Sequence, residues 1–103
     1  MNQFGFSEAI LLSIVNVFNE LEKVYRVRIF GSRAIGCYKF GSDIDLAVEG
    51  QDLDISYILG IRLKLEDLMM PYRFDIVNFN DLDYSDKIKE HIEQVGVVIF
   101  ERK

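Results

Sequence analysis

Arg26-Val27-Arg28-Ile29-Phe30-Gly31-Ser32-Arg33-Ala34-Ile35-Gly36, and then Gly41-Ser42-Asp43-Ile44-Asp45-Leu46-Ala47-Val48-Glu49, decide the fold of this chain. Val27 and Ile29 alternate with Arg26 and Arg28, which is the period of a half-buried strand over Tyr25 to Phe30. Gly31-Ser32 ends that strand, and a short helix is expected from Ser32 to near Gly36. Tyr38 to Gly41 turns the chain. Asp43 to Glu49 is the second strand. Its Ile44, Leu46 and Val48 share one face, and Asp43 and Asp45 share the other, because strand side chains alternate.

Working outward, Ser7 to Tyr25 reads as a helix. Ser7 stands as the cap, Glu8 lies in the first turn, and Ile10, Ile14, Val17, Phe18 and Leu21 form an apolar stripe. Asp54 to Met70 reads as a second full helix, with Ile58, Ile61, Leu65 and Leu68 at three- and four-residue spacing and Pro71 as its terminator. Tyr72 to Asn78 is a third strand, with Asp75 on the face of Arg73 and Val77. Ser85 to Val95 is a last helix, with Ile88, Ile92 and Val95 inward and Gly96 as its stop. Val97 to Phe100 is a final strand. Helices and strands alternate from end to end, so the expected class is α/β (α+β), a small mixed sheet of about four strands packed with helices.

The 103 residues fit one domain, residues 1–103. Hydrophobic residues make up 50% and charged residues 28%, which excludes global disorder. No apolar run approaches the roughly 20 residues of a membrane span, and the start of the chain lacks the marks of a secretion signal. A net charge of −5 argues against a protein that coats nucleic acid. The single cysteine, Cys37, has no internal disulfide partner, so a reducing cytoplasm is the expected setting. One cysteine and one histidine cannot build a structural zinc site.

Three Asp-x-Asp pairs occur, and they carry unequal weight. Asp52/Asp54 and Asp81/Asp83 each precede a helix and read as capping residues. Asp43/Asp45 opens an apolar strand, where Asp is disfavoured. Two carboxylates on one strand face repel each other, and a divalent metal removes that cost; the plain alternative is a solvated strand edge. Gly31-Ser32 adds a turn at which backbone and hydroxyl can approach phosphate oxygens, or else an ordinary strand-to-helix turn. His91 reads as a solvated residue on the last helix. Cys37 reads as a small buried apolar group. Tyr38 and Phe40 can pack under the turn or stack on a base.

Ten residues, Arg33 to Ser42, separate Gly31-Ser32 from Asp43-Ile44-Asp45. This arrangement resembles the minimal nucleotidyltransferase (MNT) domains of the DNA polymerase β-like superfamily, nearest to the short antitoxins encoded beside a helical HEPN-domain toxin. The resemblance implies the nucleotidyltransferase fold, and a third carboxylate on a neighbouring strand, which Asp75 matches. It implies that Asp43, Asp45 and Asp75 are catalytic and bind two Mg²⁺ ions. It also implies that Gly31, Ser32 and Arg33 hold the phosphates of ATP, although a solvated Arg33 serves the sequence nearly as well. Ile35 stands where many members carry a second arginine. The implied activity is transfer of AMP from ATP to a tyrosine hydroxyl of a HEPN RNase, with a hetero-oligomer or a homodimer as the assembly. Two alternatives remain: an antitoxin that acts by binding alone, and a small-molecule transferase of the antibiotic-modifying kind.

Overall fold

The computed structural model describes residues 2–39 and 41–102. The chain runs α1 (Glu8–Asn19), β1 (Val24–Phe30), α2 (Ser32–Ile35), β2 (Ile44–Gly50), α3 (Ile55–Glu66), β3 (Phe74–Asn78), a 3₁₀ turn (Phe79–Asp81), α4 (Lys87–Val95) and β4 (Val97–Glu101). The four strands make one mixed sheet in the order β3-β2-β1-β4. β1 lies antiparallel to both β2 and β4, whereas β2 and β3 run parallel through the α3 crossover. The expected class and strand count therefore stand.

Strand alternation sorts the sheet into two faces. Ile44, Leu46 and Val48 of β2, Val27 and Ile29 of β1, Ile76 of β3 and Phe100 of β4 enter the main core with Ile14 and Phe18 of α1 and Ile61 and Leu65 of α3. The other face carries a smaller cluster of Phe30, Ala47 and Ile92, flanked by Val77, Phe79 and Leu82, and covered by α4. Because α4 covers only part of this face, its carboxylates and arginines remain beside it. Arg28 meets Glu49 at 2.7 Å and Arg26 meets Glu101 at 2.6 Å, so both strand arginines are held in ion pairs.

Helix ends differ from the sequence expectation, for identifiable reasons. α1 begins as expected, with Ser7 accepting the Ile10 N–H at 3.2 Å, but it stops at Asn19 instead of Tyr25. Val24 must already be extended to pair with Gly50. The end of α1 is then also tied from far away, since Arg102 donates to the Phe18 oxygen in its last turn at 3.1 Å and to the Leu21 oxygen just beyond it at 3.0 Å. α3 stops at Glu66, well before Pro71, and Met69 turns the chain with φ 54°. Leu68 is apolar because it packs on the core from that turn, not because the helix continues. β3 starts at Phe74, and α4 starts at Lys87 with Asp86 as its cap. Asp83 is therefore not a helix cap; it accepts the Ser85 N–H at 2.9 Å and the Ser85 hydroxyl in a local turn. Asp54 caps α3 as expected. Gly96 is not a left-handed stop, its φ being −62°; a Cβ there would strike the Ile92 carbonyl and the Arg28 side chain.

Candidate active site

β1 delivers Gly31 and β2 delivers Asp45 to the same point, because Phe30 pairs with Asp45 as the ladder ends. Gly31 has φ 74° and ψ −155°, a conformation open essentially to glycine alone. The space its missing side chain would fill is taken by the Asp45 carboxylate. Glycine is thus required twice here, by torsion and by contact. The chain then enters α2, which ends at Gly36 in a left-handed turn.

The parallel register places Asp75 directly beside Asp45, with side chains on the same face. Asp43 precedes β2 on that side. The electrostatics report the same grouping: burial first, then the Asp75 and Asp43 carboxylates, push the Asp45 carboxyl from 3.8 up to about 6. Asp43 and Asp75 are exposed, and both line a cleft of ≈ 420 Å³ that also takes in Arg62 and Glu66 of α3, Tyr72 and Arg73. A larger hollow of ≈ 620 Å³ lies at the far end of β2, among Gly50, Asp52, Asp54, Asn78 and Asp81. It is the less apt site: Asp54 there is occupied with capping α3, and no glycine-serine turn faces it.

An all-carboxylate set suits a hard divalent cation such as Mg²⁺. The mutual repulsion that raises Asp45 is the cost such a cation would relieve. Among the described residues no three His, Cys, Asp or Glu side chains stand close enough in this conformation to enclose an ion. The donor set fits the metal, and closing it requires rotation of the exposed Asp43 and Asp75 side chains.

Three residues sit differently from their sequence reading. Arg33 is neither solvated nor open to a phosphate: it is 2% exposed. Its guanidinium donates to the Ser42 carbonyl from Nε at 3.1 Å and Nη2 at 2.9 Å, and to the Phe4 carbonyl at 2.8 Å. The rings of Phe6, Tyr38 and Tyr72 surround it at 5.0–5.6 Å. Arg33 therefore fastens the residue just before Asp43 to the N-terminal segment. Tyr38 is accounted for by this packing, and Phe40 lies outside the described residues. His91 is half-buried rather than solvated: its Nε2 accepts the Gly31 N–H at 3.2 Å. Cys37 is exposed rather than buried, since it follows the Gly36 turn away from the core.

Removing the Arg33 guanidinium leaves the buried Phe4 carbonyl and the part-buried Ser42 carbonyl without this donor. Arg33→Leu should therefore cost about 3 kcal/mol of folding stability or more. Urea unfolding followed by circular dichroism measures it, and a loss below about 1 kcal/mol would contradict this fastening role.

No curated protein matches the chain. The chain does resemble several solved structures. One belongs to a toxin–antitoxin complex with AMP-PNP, at TM-score 0.72 and 20% identity over 95% of this chain and 76% of that one. Another belongs to the toxin–antitoxin MntA-HepT, at TM-score 0.69 and 18% identity over 93% of this chain and 74% of that one. A third comes from a complex of a tri-AMPylated Shewanella oneidensis HEPN toxin with its MNT antitoxin, at TM-score 0.69 and 18% identity over 92% and 72%. At these identities the likeness establishes the fold. The family described as "Polymerase beta, Nucleotidyltransferase" matches residues 13–103, which takes in both β1–β2 and β3. By that match the chain belongs to the polymerase β nucleotidyltransferase family.

Proposed function

We propose that this nucleotidyltransferase moves AMP from ATP to a tyrosine hydroxyl of a helical HEPN toxin, and so acts as the toxin's antitoxin in the cytoplasm. The observation that supports the chemistry is Asp45, set in register beside Asp75 and against the Gly31 turn, with its carboxyl raised by both Asp75 and Asp43. The likeness to chains from a complex with AMP-PNP and from one with an AMPylated toxin supports ATP as donor and a HEPN protein as acceptor.

Each residue has a part in this reading. Ser32 offers its hydroxyl and backbone N–H to the triphosphate, and Gly31 lets the turn close on the Asp45 carboxylate beside them. Asp43, Asp45 and Asp75 would hold two Mg²⁺ ions. Bound there, the ions would neutralise phosphate charge and acidify the attacking hydroxyl. Asp75, exposed at the cleft, can also accept that proton. The hydroxyl oxygen bonds to the α-phosphorus as its bond to the bridging oxygen breaks, and pyrophosphate leaves. Arg62 and Arg73 line the cleft with Asp43 and Asp75, so they take the phosphate-facing role that the buried Arg33 cannot.

The test is incubation of the chain with α-labelled ATP, Mg²⁺ and the HEPN protein encoded beside it. Label should appear on one or more tyrosines of the partner. Complete neutralisation of the partner without label would favour a binding-only antitoxin; label on an aminoglycoside in place of the protein would favour the small-molecule reading. Chelation should lower transfer at least about 10³-fold, restored by Mg²⁺ or Mn²⁺ in excess. Transfer that continues undiminished in EDTA would contradict the metal assignment.

A further inference from the structure

We propose that His91 is a positioning residue for the phosphate-gripping turn, acting from α4 through the Gly31 backbone. The proposal rests on the nucleotidyltransferase reading of that turn and names a residue outside its glycine-serine and aspartate motif. Gly31 follows the last β1 residue of both strand ladders: Phe30 is the end of the β1–β2 pairing, and Ile29 the end of the β1–β4 pairing. As the cap of α2, Gly31 contributes no N–H to that helix. Its N–H is therefore beyond every regular backbone partner, in a part-buried place where an unmade hydrogen bond is costly. His91 Nε2 accepts it at 3.2 Å.

The imidazole is itself held. Ile92, the next residue, is fully buried against Phe30 and Ala47, which fixes this turn of α4 on the sheet. The Phe30 ring meets the His91 ring edge-on at 6.2 Å and 79°. A ring that accepts through Nε2 carries its proton on Nδ1. The bond sets the peptide that leads into Ser32, and with it where the Ser32 N–H and hydroxyl stand relative to Asp45. It also removes the Gly31 N–H from the donors open to a phosphate, so Ser32 is the first donor of the turn.

Two measurements test this, one of them without nucleotide. In ¹⁵N-labelled protein, a scalar coupling across the hydrogen bond should join Gly31 N to His91 Nε2. In transfer assays, His91→Leu should raise the KM for ATP about tenfold, the worth of one hydrogen bond, with kcat changed less than about threefold. His91→Gln should recover most of that loss, because its amide oxygen reaches the place of Nε2; His91→Asn, one bond shorter, should not. If His91→Leu fails to fold, the Gln and Asn pair carries the same comparison. Absence of the coupling, an unchanged KM in His91→Leu or Asn, or equal KM values for Gln and Asn would overturn the proposal. Should the wild-type chain transfer no nucleotide, the proposed function fails. The same comparison is then read from AMP-PNP affinity, and His91→Leu binding as tightly as wild type would overturn the positioning role.

Discussion

Asp45→Asn is expected to lower nucleotidyl transfer by about 10³-fold or more while making the metal-free protein more stable at neutral pH. The two effects share one cause. Asp45 is half-buried, paired in register with Asp75 and close to Asp43. Its carboxyl titrates at about 6 in the folded chain against 3.8 unperturbed. A raised folded pKa means that the native state holds this proton more tightly than the unfolded state does. Its contribution to stability is therefore complete below pH 3.8 and is lost as pH rises through about 6. Discounted for solvent screening of a half-open group, the loss is on the order of 1 kcal/mol. Melting temperatures of the metal-free wild type should fall from pH 4.5 to pH 8 relative to Asp45→Asn. A parallel course of the two curves, or a strong loss of stability in the variant at pH 8, would show that Asp45 serves the fold and not the site.

Gly31→Ala carries the second large effect, and it is opposite in stability. The new methyl group would be placed on the Asp45 carboxylate, at a backbone conformation alanine rarely adopts. Relieving this means moving either the turn or the carboxylate. We expect a loss of about 2–3 kcal/mol in folding stability, and transfer reduced at least about 10²-fold in whatever folds, because turn and carboxylate separate. Thermal unfolding and initial rates check both parts. A Gly31→Ala protein with wild-type rate would mean that the close approach of the turn to Asp45 is not used.

The strands, and the register that sets Asp45 beside Asp75, follow from signals that are local. Val27 and Ile29 alternate with arginines, and Asp43 and Asp45 interrupt an apolar strand. The Gly31-Ser32 to Asp43 spacing lies within one β1–α2–β2 passage. The helix ends were less legible. Leu21 and Leu68 continue the helical apolar stripe, yet each packs on the core from a turn beyond its helix. Arg33 was misread because no sequence pattern announces that a side chain will turn inward to the Ser42 and Phe4 carbonyls. His91 was misread for the same reason: Gly31 lies 60 residues away, and its unpaired N–H exists only once β1 has found both neighbours. Arg62 likewise reaches the carboxylate cleft only through the packing of α3 beside β3.

The proposed chemistry turns on Asp43, Asp45 and Asp75 binding divalent cations together with a nucleotide. Electron paramagnetic resonance of Mn²⁺ titrated into the chain with AMP-PNP present reads it without any acceptor protein. Mn²⁺ should bind the wild type in stoichiometric amount and bind the Asp43→Asn/Asp45→Asn double variant at least about 10²-fold more weakly. Equal Mn²⁺ affinity in the two proteins would contradict the assignment of these carboxylates.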